Sequence, residues 1–89
     1  MSFEVIASKR VKKEIEKFEK PLKIKLLDLF LKLKENPVPV DEFDVVKLSG
    51  SLNAYRVRIQ KIRVIYDIFW KQKRIELLKV EKRKDRTYK

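Results

Sequence analysis

Arg56, Arg58 and Arg63 lie in the stretch Tyr55-Arg56-Val57-Arg58-Ile59-Gln60-Lys61-Ile62-Arg63-Val64-Ile65-Tyr66, which alternates apolar and polar residues on both sides of a short turn. Alternation with period two puts every second side chain on one face of a strand. With Gln60-Lys61 as a two-residue loop, Arg58 falls directly across from Arg63, and Arg56 falls diagonally beyond. Like charges directly opposite one another destabilise a sheet, so a fold that places two guanidinium groups there is expected to receive an anion between them. A polyphosphate is the natural candidate. A second basic cluster, Lys82-Arg83-Lys84-Asp85-Arg86-Thr87-Tyr88-Lys89, adds a phenol to further guanidinium groups.

The charge distribution agrees. Residues 1–44 carry 10 Lys/Arg against 9 Asp/Glu, a net of +1, whereas residues 45–89 carry 14 against 4, a net of +10. Six of the seven arginines follow residue 55, while the first half uses lysine almost exclusively. Arginine presents a planar fork of donors that matches phosphate oxygens, whereas lysine on a helix more often serves solubility and i,i+4 pairing. The alternative is a basic surface without a site.

Other chemistries are excluded by composition. With no cysteine and no histidine in 89 residues, disulfides, thiolate zinc sites and the commonest general base are absent. Asp67, Glu76 and Asp85 are spread singly, so no metal site and no cofactor is expected, and Asp67 is expected to pair with a neighbouring arginine. Any catalysis must use Lys, Arg, Tyr, Asp or Glu. The N-terminal residues lack the pattern of a signal peptide, and no apolar run approaches the roughly 18 residues of a membrane span. A single cytoplasmic domain, residues 1–89, is expected, without membrane association.

The elements that must position these residues follow in simple order. Phe3 to Ala7 reads as a strand, and Ser8 can N-cap a helix with Val11, Ile15 and Phe18 at helical spacing, ending near Lys20 before Pro21. Pro21 suits the first turn of a second helix reaching about Glu35, where Asn36-Pro37 stops it. Leu22, Leu26, Leu29 and Leu33 form one stripe of that helix, and Ile24, Leu27 and Leu31 form another on nearly the opposite side. One stripe is expected to meet the sheet; the other meets the first helix or docks a partner. Asp41 to Asp44 reads as a solvated acidic loop. Strands Val45–Leu48, Ala54–Ile59, Ile62–Trp70 and Arg74–Lys82 follow, with the only glycine, Gly50, in a turn. Tyr55, Val57, Ile59, Ile62, Val64, Tyr66 and Ile68 supply the core face under the helices. The arginines and Asp67 face away, as the floor of an open, cationic cleft. The exposed-ring reading of Phe3, Phe18, Tyr66, Phe69 and Trp70 as base-stacking platforms is disfavoured, because alternation sends most of them to the core or the sheet edge.

Taken in order, the strand, the helical hairpin, Lys47-Leu48-Ser49-Gly50, Tyr55-Arg56-Val57-Arg58-Ile59, Arg63-Val64-Ile65-Tyr66 and the basic stretch closing on Tyr88 resemble the RelE toxins of toxin–antitoxin pairs, in their archaeal form, over essentially the whole chain. The resemblance implies an α+β fold with the N-terminal strand and two-helix hairpin packed on one face of a mainly antiparallel sheet. It implies a ribosome-dependent endoribonuclease (mRNA interferase) that enters the A site, contacts 16S rRNA and cuts mRNA within the codon. The toxin would be a monomer when free and a hetero-oligomer with a RelB-like antitoxin, which is expected to be acidic and amphipathic and to cover the arginine cleft or remodel the Tyr88 tail.

By this resemblance Arg63 and Arg83 bind the scissile phosphate and its transition state, and Tyr88 orients the substrate and moves the 2′-OH proton. Arg56 and Arg58 stand where the best-known bacterial relatives carry lysines. Arginine stays protonated, with a pKa above about 12, so these two are electrostatic stabilisers rather than bases. The burden of base then shifts to Tyr88, whose phenol would be acidified by surrounding guanidinium groups. The expected catalytic set is Arg58, Arg63, Arg83 and Tyr88; Arg56, Lys47, Lys82 and Arg86 are expected to hold RNA phosphates. The related ParE toxins, which bind DNA gyrase on the same fold, and a non-cutting RNA-binding module are the alternatives.

Overall fold

A computed structural model describes residues 2–82, organised as β1 (Glu4–Ala7), α1 (Lys9–Glu16), α2 (Lys20–Glu35), β2 (Asp44–Lys47), β3 (Ala54–Ile59), β4 (Ile62–Phe69) and β5 (Arg74–Lys82). The strands form one sheet in the order β1-β5-β4-β3-β2, with β1 parallel to β5 and every other pair antiparallel. Both helices lie on the same face of that sheet, which is the expected α+β architecture.

Ser8 caps α1, its Oγ accepting a hydrogen bond from the Val11 amide at 3.2 Å. The helix ends at Glu16, short of Lys20. Its last turn tightens, with the Lys17 and Phe18 amides donating to the Glu14 and Ile15 carbonyls at 3.2 and 3.1 Å, which lets Phe18 fold back onto the core. Glu19 is extended, and Pro21 sits in the first turn of α2 where its missing N–H costs nothing. Leu22, Leu26, Leu29 and Leu33 are buried against Val57, Val64, Tyr66 and Ile75 of the sheet. Each fully buried leucine contributes about 2 kcal/mol relative to exposure.

The second apolar stripe of α2 does not meet α1. Ile24, Leu27 and Leu31 are 58%, 58% and 54% exposed. The short α1 lies against β5 and β1 instead, so the far side of α2 stays open. Among the described residues no helix is long and apolar enough to cross a membrane.

Two hydrogen bonds fasten the helical layer to the sheet. The buried Tyr66 hydroxyl donates to the Pro37 carbonyl at 2.7 Å, and the Phe3 amide donates to the Lys34 carbonyl at 2.7 Å. Burial, with Tyr55 nearby, pushes the Tyr66 phenol well above its usual pKa. The acidic side chains of the connector are exposed, as expected; Glu42 pairs with Lys32 at 3.2 Å, and Asp44 opens β2 one residue before the expected start. Gln60 takes φ 51° in the two-residue loop between β3 and β4, the left-handed conformation such tight hairpin turns use. In β5, Leu77 pairs with Tyr66 and Lys79 with Ile65, so Leu78 is an extra residue, a β-bulge.

Candidate functional site

Strand register builds the site. Arg58 pairs directly with Arg63, as expected from the sequence, and the same row continues outward to Asp44 on β2 and Glu81 on β5. Across the sheet the row reads Asp44, Arg58, Arg63, Glu81: two cations bracketed by two carboxylates. Two strands supply the arginines because β3 and β4 alternate cleanly, while their apolar residues are held in the core by α2.

Each carboxylate contacts an arginine, although Asp44 reaches Arg56 rather than Arg58 beside it in the row. Arg63 places both Nε and Nη2 on Glu81 Oε2, at 3.0 and 2.8 Å, and Lys79 Nζ stands 3.6 Å from Glu81 Oε1. Arg56 Nη2 lies 3.3 Å from Asp44 Oδ1, with its guanidinium largely covered. Arg58 is exposed and makes no ion pair with a described residue.

This corrects the picture of a bare cationic cleft. By register, the open face carries Arg56, Arg58, Arg63, Arg74 and Lys79 interleaved with Glu4, Asp44, Asp67, Glu76 and Glu81. The repulsion between Arg58 and Arg63 is offset first by the protein's own carboxylates. Asp67, expected to pair with an arginine, makes no ion pair among the described residues; Asp44, Glu81 and Glu76 take the arginines instead.

Arg56, Arg58 and Arg63 are thus brought together. Lys47 and Lys82 are not, because Lys47 pairs with Tyr55 and Lys82 with Ile62, which puts them in register with core-face residues. Arg83, Arg86 and Tyr88 lie outside the described residues. Sequence reasoning missed Asp44 and Glu81. The signal for Asp44 was its place one hairpin away from Arg56; Glu81 was hidden by the bulge at Leu78. Among the described residues no three carboxylates come together to hold a metal ion.

Aromatic rings add little to this face. By register Phe69 lies on it, and the Arg74 guanidinium covers that ring at 5.2 Å from its centroid. Trp70 instead packs edge-on against Phe3, with centroids 5.7 Å apart. A row of two guanidinium groups, one exposed and one on an exchangeable carboxylate, can grip a phosphodiester from two sides.

No protein-family model matches the chain. Among solved structures, the RelE–RelB complex from Pyrococcus horikoshii contains a chain that superimposes with a TM-score of 0.85 and 36% identity, covering 93% of this chain and 97% of that one. The isolated E. coli RelE toxin shares the fold at a TM-score of 0.79 and 17% identity, covering 96% of this chain and 88% of that one. The RelE1 protein of Methanocaldococcus jannaschii is 39% identical over 83 residues, 93% of this chain and 92% of its own length. With relatives this similar spanning nearly its full length, the chain belongs to the RelE toxin family.

Proposed function

We propose that this protein is the toxin of a type II toxin–antitoxin pair and a ribosome-dependent endoribonuclease that cuts mRNA in the A site. The observation that carries the reading is the direct opposition of Arg58 and Arg63 on the open face of the sheet. In the proposed reaction the 2′-OH attacks the adjacent phosphate, giving a phosphorane of increased negative charge. The bond to its 5′-oxygen breaks, that oxygen takes up a proton from solvent to become a 5′-hydroxyl, and a 2′,3′-cyclic phosphate remains. Arg63 and Arg58 stabilise the charge that develops on the phosphoryl oxygens. Arg83 adds charge at the leaving oxygen, and Tyr88 takes the 2′-OH proton. Arg56, anchored by Asp44, holds a neighbouring phosphate.

The partner follows from the same family. The P. horikoshii relative was solved as a complex with RelB, and a RelB-like antitoxin is proposed here. The exposed residues Ile24, Leu27 and Leu31 offer it an apolar surface. A groove beside them, lined in part by Ile6, Ile15, Phe30, Lys12 and Lys34, is apolar with a basic rim. An acidic amphipathic segment complements both features.

The test is to add purified protein to ribosomes programmed with a defined message and an empty A site, and to map new 5′ ends by primer extension. A cut inside the A-site codon, absent without ribosomes and lost in Arg63→Ala, supports the reading. No cut on matched ribosomes overturns it.

A further inference from the structure

Glu81 holds the one arginine that the proposed reaction uses most. Its Oε2 accepts from both Nε and Nη2 of Arg63, at 3.0 and 2.8 Å, which occupies one whole edge of the guanidinium fork. That side-on edge is one of the two with which arginine grips two oxygens of a phosphate. The neighbouring row position shows a contrast, since Arg58 has no carboxylate partner among the described residues and is exposed.

We infer that Glu81 is a built-in competitor for the scissile phosphate: its carboxylate occupies the Arg63 fork in the free protein and must be displaced when RNA binds. This rests on the proposed nuclease reading and adds a regulatory element to the same site.

The geometry supports exchange rather than a permanent clamp. The side chains are 41% exposed at Arg63 and 32% at Glu81, so the pair is partly hydrated and separable at modest cost. Lys79 Nζ, 3.6 Å from Glu81 Oε1, remains as an alternative partner, so the displaced carboxylate is not left unpaired. Until then, the carboxylate keeps the guanidinium extended across the sheet and spares it the repulsion of Arg58 opposite. RNA therefore meets one arginine without a carboxylate among the described residues and one that is guarded. Loose, non-specific strands gain less from it than a substrate held firmly by other contacts, which can drive the exchange.

The experiment measures binding of a short single-stranded RNA, 2′-O-methylated so that it cannot be cut, to the full chain. Glu81→Gln keeps the size and removes the charge. Glu76→Gln, on the same strand and face and paired to Arg74 at 3.2 Å, is the charge-matched control. Glu81→Gln is expected to tighten binding about 3- to 10-fold beyond Glu76→Gln. In an Arg63→Ala background that excess disappears, because the guarded group is gone. NMR of the Arg63 Nε–Hε group gives a readout independent of mutant folding: in the wild type its signal shifts on RNA addition as the acceptor changes from carboxylate to phosphate.

An equal gain from both variants, or a Glu81→Gln excess that persists without Arg63, overturns the inference. So does an Arg63 Hε signal unmoved by saturating RNA. The nuclease reading fails separately, through loss of ribosomal cleavage in none of the site variants or through absence of cleavage altogether.

Discussion

Replacing Tyr66 by Phe removes a single hydroxyl from the centre of the molecule, and its cost should depend on pH in a calculable way. The ring is fully buried, and its hydroxyl donates to the Pro37 carbonyl at 2.7 Å, fastening β4 to the end of α2. At neutral pH the variant loses one buried hydrogen bond and leaves an acceptor unpaired, about 1.5 kcal/mol in all. For a domain of this size that is roughly 6–12 °C in Tm. The second part of the effect comes from the phenol's raised pKa in the folded state. Below about pH 10 the hydroxyl is neutral in both folded and unfolded chains, and its stabilisation is fully present. Above about pH 10 the unfolded phenol ionises while the folded one does not, so the wild type loses about 1.4 kcal/mol per pH unit. Phenylalanine has nothing to ionise, and the gap between the two proteins should shrink to a few tenths of a kcal/mol near about pH 11. Urea unfolding of both proteins at several pH values between about 8 and 11 reads this directly. A gap that stays constant across that range would refute the claim that folding keeps this phenol neutral.

Arg63→Ala should lower the rate of ribosomal mRNA cleavage by about 100- to 1,000-fold in single-turnover assays, the usual loss when one preorganised donor to a developing anion is removed. Tyr88→Phe should lower the cleavage rate far more than RNA affinity; equal losses would rule it out as the proton acceptor. The double substitution Leu27→Asp with Leu31→Asp should cost no more than about 1 kcal/mol per site, mostly in helix propensity, because both side chains are more than half exposed. The same variant should weaken antitoxin binding by at least about 10-fold in calorimetry. Ser8→Ala should cost about 1 kcal/mol in thermal or urea unfolding, since its hydroxyl caps α1 at the Val11 amide.

Where the chain encodes structure by local period, the fold was readable. The alternation from Tyr55 to Tyr66 fixed both hairpin strands, their two-residue loop and the pairing of Arg58 with Arg63. The 22-26-29-33 leucine stripe identified the buried side of α2 in the same manner. What escaped depends on non-local register. Asp44 reaches Arg56 only because β2 pairs with β3 across a loop, and Glu81 meets Arg63 only because β5 is bulged. Periodicity also reports that Ile24, Leu27 and Leu31 are apolar without saying what lies over them. Helix length decides that, and α1 is too short to do so.

Leu78 gives the last strand a parity of its own. Before it, odd-numbered Ile75 and Leu77 point into the core; after it, even-numbered Val80 does, and odd-numbered Glu81 faces the arginines. Losing the single codon for Leu78 would nonetheless leave every pairing with β4 intact, because Leu78 is the residue that faces no partner there. The shortened strand would alternate regularly, with Leu77 and Val80 inward and Lys79 and Glu81 outward, and would lose only the bulge and the local twist it adds. Losing Val80 instead would carry the charged Lys79 inward opposite Val64 if Glu81 is to stay beside Arg63. A deletion at Leu78 should therefore be tolerated far better than one at Val80.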